Sequence, residues 1–280
     1  MGEFRYEGHR IEYDVFGDGA RTLILVHGLL MNRRMYERLG PALALKGNRV
    51  VCVDLLGHGR SDRPKDLRLY SMPLFARQVA ALIDHLGLDS AAVGGTSLGA
   101  NVALELATRD PERVRALFIE MPVLDNALPA VAGAFAPLML GLRLARPAFE
   151  LVSRVTSAIP RTHHLIDIGL DWARQSPGPS LAVLEGLLLG ETAPHREQRL
   201  KILQPTLIVG HPRDPVHPFS DSGMLAEELP NGRLLEANSI FEWRITPSRL
   251  DAELAAFLKE VWGEEAIDSE RKAPLTTAPG

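Results

Sequence analysis

Two apolar rhythms alternate along the chain, and their alternation predicts a fold. Residues 21–27 (RTLILVH) and 49–55 (RVVCVDL) are short, nearly continuous apolar runs. Such runs read as strands buried on both faces, as in a mostly parallel sheet. Residues 71–86 instead place Leu74, Phe75, Val79, Leu82, Ile83 and Leu86 at helical spacing, with Gly87 next as a C-cap. Residues 34–46 are helical in pattern and end at Gly47-Asn48, and residues 3–16 read as two short strands around Gly8-His9. A strand-like run at 91–93, a helix-like run at 101–108 and a strand at 115–120 continue the series. Strand and helix in turn imply an α/β fold, a mostly parallel sheet flanked by helices.

The rhythm breaks after residue 120. From 121 to about 198 there is no clear strand, only apolar helix-compatible stretches at 127–145, 148–159, 165–174 and 181–189. This reads as a helical cap inserted into the sheet order. Strands resume at 205–210 and 233–237, with helices at 220–229 and 248–262. The expected organisation is a core at 1–122 and 199–263, a helical cap at 123–198, and a disordered tail at 264–280.

Composition narrows the function classes. The chain has 280 residues, 46% hydrophobic and 24% charged, which is globular rather than disordered. A formal net charge of −4 gives no sign of the basic face of a nucleic-acid binder. The single cysteine, Cys52, excludes an internal disulfide and reads as buried filler within Val50-Val51-Cys52-Val53. The first ten residues are charged, and no apolar run reaches the roughly 18 residues of a membrane span. A cytoplasmic, soluble protein with no membrane partner is expected, and a homodimer is left open.

The clearest motif is Gly95-Thr96-Ser97-Leu98-Gly99. It follows an apolar strand and opens a helix, the context of a nucleophile elbow, where a serine sits on a tight strand-to-helix turn. Gly95 and Gly99 relieve crowding there, and the helix starting near Leu98 offers its positive end.

Around this motif the chain resembles the α/β-hydrolase family. The resemblance rests on His27-Gly28-Leu29 after a strand, on the run Asp54-Leu55-Leu56-Gly57-His58-Gly59-Arg60-Ser61-Asp62, on the elbow at Ser97, and on Gly210-His211-Pro212-Arg213-Asp214-Pro215. Each alone is weak; four in order at compatible spacing are specific. The resemblance implies Ser97 as nucleophile, Asp214 as acid, and an oxyanion hole from the backbone N–H groups of Leu29 and Leu98. His27 is then a structural residue bonding neighbouring loops, and His58 belongs to a structural turn. The alternative for Asp214 is a loop aspartate capping its own turn.

One element departs from the family pattern. The catalytic histidine is expected on the loop after the last strand, with a proline about seven residues later in the pattern that the resemblance implies. Counting forward from the strand and back from Pro247 both give Ile240. The last histidine in the chain is His217. Three residues span at most roughly 10 Å, so His217 can reach the pocket from Asp214's own loop and is the first substitute base. The plainer reading is a solvent-exposed loop histidine flanked by Pro215 and Pro218. His163 and His164 in the cap, and His211, are weaker candidates. Glu120 is a second acid or, more simply, a structural carboxylate. Arg33-Arg34 is a substrate-carboxylate site or, more simply, a solvated helix start. His211, His217 and Asp214 match no standard metal spacing, so neither metal nor cofactor is expected.

Two functions follow. One is a hydrolase cleaving a small ester, lactone or thioester through Ser97, with a non-standard proton acceptor. The other is a non-hydrolytic member that binds an apolar small molecule, or catalyses another reaction, in the same pocket. An aliphatic group at the base position and a Leu-, Ala-, Val- and Phe-rich cap both suit an apolar ligand.

Overall fold

The computed structural model describes residues 1–161, 164–188 and 190–272. Among them eight strands form one sheet: β1 (Gly2–Tyr6), β2 (His9–Phe16), β3 (Arg21–Val26), β4 (Asn48–Val53), β5 (Ala91–Thr96), β6 (Val114–Glu120), β7 (Thr206–Gly210) and β8 (Gly232–Glu236). Their order is β1-β2-β4-β3-β5-β6-β7-β8. β2 pairs antiparallel with both β1 and β4, and the remaining neighbours are parallel.

The apolar runs explain the layers. Along β3, Leu23 and Leu25 enter one core while Ile24 and Val26 enter the other, and all four are fully buried. β4 repeats the alternation, with Val50 and Cys52 on the first side and Val51 and Val53 on the second. Helices α2 (Met72–His85) and α3 (Leu98–Arg109) cover the second side, and α1 (Leu39–Ala44) the first. Burial pushes the Cys52 thiol well above its ordinary value, as befits a packing residue.

Between β6 and β7 lie α4 (Leu128–Leu144), α5 (Arg146–Ala158), α6 (His164–Ala173), α7 (Pro177–Leu188) and the short α8 (Arg196–Arg199). Two buried side chains fix this insertion to the core. Asn101, on α3, donates to the carbonyls of Val123 (2.8 Å) and Thr192 (2.6 Å) and accepts from Val123 N–H (3.1 Å), so it holds both ends of the insertion. Asp221, on α9 (Phe219–Glu228), accepts from Leu124, Asn126 and Ala127 N–H groups at 2.8–3.1 Å. The chain ends in α10 (Glu242–Ile245) and α11 (Ser248–Lys272), and α11 packs on the α1 side of the sheet. Among the described residues no single helix is long and apolar enough to cross a membrane.

One expectation is corrected. The helix expected over 34–46 is broken: a 3-10 turn spans Arg33–Tyr36 and α1 starts only at Leu39. Pro41 is the reason, since inside a continuous helix it would remove a hydrogen bond and clash with the preceding turn. The chain instead restarts with Pro41 in the first turn of α1. The tail expected over 264–280 falls partly on α11, which is drawn to Lys272, and partly on residues 273–280, which lie outside the described residues.

Strand order reverses around β3, whose neighbours are β4 and β5. The C-terminal edge at such a switch point opens a crevice, where ligands bind in open α/β sheets. Two glycines bring β5 and α3 tightly against β3 there. A Cβ at Gly95 or Gly99 would overlap the Val26 carbonyl oxygen, which is backbone and cannot move aside. Gly99→Ala should therefore destabilise the protein by about 1–3 kcal/mol through overpacking. Urea unfolding checks this, and an unchanged midpoint would refute the close packing.

Candidate active site

The site is built on the turn from β5 into α3. Ser97 occupies it with φ +55° and ψ −109°, a conformation a side chain rarely adopts. Ser97 N–H donates to Glu120 O (2.9 Å), and Ser97 O accepts from Asn101 N–H (3.1 Å). The turn is thus tied to β6 on one side and to its own helix on the other.

Asp214 and His217 lie on the loop between β7 and α9. Asp214 Oδ1 accepts from the Val216 and His217 backbone N–H groups (2.8 and 2.9 Å), while Oδ2 lies 3.2 Å from His217 Nδ1. One carboxylate thus caps its own turn and holds the imidazole. The turn-capping alternative for Asp214 is met by Oδ1, while Oδ2 faces the imidazole. His217 Nε2 lies 2.9 Å from Ser97 Oγ. An ionised carboxylate only accepts, so His217 Nδ1 carries the hydrogen and Nε2 turns its lone pair to the serine hydroxyl. Burial pushes the Asp214 carboxyl up, but the His217 ring and the two backbone N–H groups outweigh it and bring its pKa below the usual value.

His217 is only 17% exposed, against the expectation of a solvated loop residue. Pro215 and Pro218 fix φ on either side of it, and Pro218 also restricts the His217 backbone to extended conformations. The loop is therefore stiff, and its stiffness orients the ring.

Ile240 is half-buried on the turn after β8 and stands outside the cavity lining. His211 faces away from Ser97: its Nε2 lies 3.1 Å from Glu120 Oε1 and its Nδ1 3.1 Å from Ser239 O. His163 and the side chain of His164 lie outside the described residues.

Leu29 and Leu98 line the same cavity as Ser97. Leu98 N–H is in the first turn of α3, where helix geometry supplies it no acceptor. Leu29 lies in a turn closed by Met31 N–H to Gly28 O (3.0 Å), with Leu30 at φ +55°. His27 locks this turn to the neighbouring loop, bonding Gly28 O through Nδ1 (2.8 Å) and accepting from Leu55 N–H at Nε2 (3.1 Å). Burial drives the pKa of His27 to about 4 and that of His58, 4.7 Å away ring to ring, to about 3. Both are neutral structural residues.

Arg33 is neither a solvated helix start nor a ligand for substrate. It is 4% exposed and pairs with Asp14 (2.8 Å), Glu12 (3.2 Å) and Asp54. Asp54 also accepts from the Arg33 and Arg60 backbone N–H groups (2.7 and 2.9 Å), so this ion cluster closes the loop after β4.

Beneath the elbow lies a polar cluster that sequence reasoning missed, apart from Glu120 and His211. Thr96 Oγ1 donates to Glu120 Oε2, and Tyr36 OH lies 3.1 Å from Thr96 Oγ1 and donates to Val26 O (2.9 Å). Arg244, on α10, lies 3.6 Å from Glu120 Oε2. No local pattern joins these residues, which come from five separate segments. Above the elbow, α4, α6 and α7 contribute Val131, Phe135, Ile168, Leu184 and Leu187 to the wall of a mostly apolar cavity of about 350 Å³.

The chain belongs to the α/β hydrolase fold family, whose profile matches residues 21–239. It is 30% identical over 236 residues to a pimeloyl-[acyl-carrier protein] methyl ester esterase of Aeromonas hydrophila, covering 80% of this chain and 88% of that one. It is 28% identical to a 2-hydroxymuconate semialdehyde hydrolase of Pseudomonas sp. strain CF600, covering 69% of each. The enol-lactonase of Burkholderia xenovorans LB400 shares the fold, with a TM-score of 0.73 at 20% identity over 92% of this chain and 100% of that one.

Burial pushes the Glu120 carboxyl up, yet Arg244, His211 and Thr96 together hold it at about 2, below its ordinary 4.5. A depressed folded-state pKa stabilises the fold above the unfolded value, and that stabilisation is lost as pH falls through the folded one. Glu120→Gln should therefore flatten the dependence of stability on pH between about 4.5 and 2. Urea unfolding across that window reads it, and equal slopes in both proteins would assign the titration elsewhere.

Proposed function

We propose that this protein is a serine hydrolase of small esters, lactones or thioesters with an apolar acyl part, and that acid and base share one loop. The observation that carries the reading is the chain of contacts from Ser97 Oγ to His217 Nε2 (2.9 Å) and from His217 Nδ1 to Asp214 Oδ2 (3.2 Å). Relatives that carry the names esterase and hydrolase support it.

In this reading Ser97 Oγ attacks the substrate carbonyl carbon as its proton passes to His217 Nε2. The negative charge on the carbonyl oxygen is held by the Leu29 and Leu98 N–H groups. His217 then gives the proton to the departing alcohol or thiol, and Ser97 keeps the acyl group. Water, deprotonated by His217, attacks the acyl carbon; the serine is released with that proton and the acid leaves. Asp214 stays ionised throughout and steadies the imidazolium. The apolar cavity receives the acyl chain and sheds water around it. The non-hydrolytic alternative rested on a pocket without a base near Ser97, and the 2.9 Å contact makes it the less economical reading.

A fluorophosphonate probe should label the wild type at Ser97 and leave Ser97→Ala unlabelled by intact mass. His217→Ala and Asp214→Asn should each lower kcat on a responsive short-chain ester by about 10⁴-fold. Normal turnover by Ser97→Ala or His217→Ala would sink the proposal, whereas Ile240→Ala should keep wild-type kcat.

A further inference from the structure

Arg244 is the charged residue that the mechanism above leaves unused. It lines the cavity that contains Ser97, and its side chain is 21% exposed. Among the described residues of that lining it is the only ionisable side chain apart from the ring of His217, and none of them is a carboxylate. Its guanidinium makes no hydrogen bond among the described residues; its partner is Glu120, at 3.6 Å. That carboxylate is already shared, since Oε1 faces His211 and Oε2 accepts from Thr96. An arginine so placed has lost water to an apolar wall for one ion pair longer than a hydrogen bond, an arrangement that leaves its donors for a second anion.

The sign of the surrounding field agrees. The positive end of α3, twelve residues long, opens onto the same floor. Glu120, the nearest anion, is withdrawn behind the wall at 1% exposure. Its backbone oxygen accepts from Ser97 N–H and its carboxylate faces Arg244, so the cation lies close to the nucleophile. The cavity is mostly apolar, and one guanidinium fork matches a planar monoanion with two oxygens better than it matches a phosphate dianion.

We propose that Arg244 binds a carboxylate on the substrate, so that the preferred substrates are esters or lactones of apolar acids carrying a second, free carboxylate. This rests on the hydrolase reading and specifies its substrate class. Arg244 is a specificity residue and takes no part in proton transfer. It comes from α10, in the segment after β8 where the resemblance to the family implies the base. With the base on the β7 loop, that segment supplies recognition instead.

The test compares the monomethyl esters of succinic, glutaric and adipic acid with methyl butanoate, pentanoate and hexanoate. Hydrolysis is followed by pH-stat for the wild type, Arg244→Met and Arg244→Lys. The wild type should prefer the acid ester in kcat/KM for at least one chain length. Arg244→Met should reduce that preference by about tenfold to a hundredfold, mostly through KM, and Arg244→Lys should restore part of it. No preference in the wild type overturns the proposal. So does an equal loss on both series, which would make Arg244 a brace for Glu120 only. Binding to Ser97→Ala separates this outcome from a failure of the hydrolase reading. By calorimetry, that protein should bind the acid ester more tightly than its neutral counterpart, and the added change Arg244→Met should abolish the difference. Absence of cleavage of any ester by the wild type counts against the hydrolase reading, whereas equal binding of both esters counts against the carboxylate subsite.

Discussion

The close approach of α3 to β3 governs the site. Gly95 and Gly99 let the helix and its parent strand lie directly on the Val26 carbonyl. The residue between them has no relaxed path from strand to helix, and Ser97 takes a left-handed backbone there. That conformation would relax if the turn were free. It persists because Ser97 N–H is bonded to β6, its carbonyl is bonded to Asn101, and Thr96 is anchored to Glu120. This packing fixes the serine's backbone, and the hydroxyl it presents meets His217 Nε2 at 2.9 Å.

Around this fixed point the polar groups divide into two sets with different tasks. Above the turn, Asp214 and His217 form a short stiff loop whose single carboxylate both closes the turn and sets the imidazole tautomer. Below it, Glu120 gathers His211, Thr96 and Arg244, balancing buried charge under Ser97. The division explains why two carboxylates, both near Ser97, have different roles. Asp214 faces a ring that turns toward the serine, and Glu120 faces one that turns away.

Much of this was legible in the sequence where it depended on local geometry. The buried strands, the glycines of the elbow and the stop at Gly87 each express a constraint within a few residues. The reach from Asp214 to His217 was legible for the same reason, although only the folded loop decides between a solvated ring and a bound one. Arg33 shows where such reading ends. Its three carboxylate partners lie on β2 and after β4, and nothing near Asn32-Arg33 announces them. Arg244, Asn101 and Asp221 were missed on the same physical ground, since their partners are far away in the chain.

Asn101 joins both ends of the inserted helices to the helix that begins at Ser97. Mechanically, the insertion hangs from two buried side chains, this amide and the Asp221 carboxylate. The amide's carbonyl contacts at Val123 and Thr192 are backbone, so they constrain the position of the insertion's ends and not the side chains between them. Between those two points α7 keys into the core through Val183 and Leu184, so it is the exposed faces of α4 and α5 whose composition can drift to suit new ligands while Asn101, and the serine one turn away from it, stay in place.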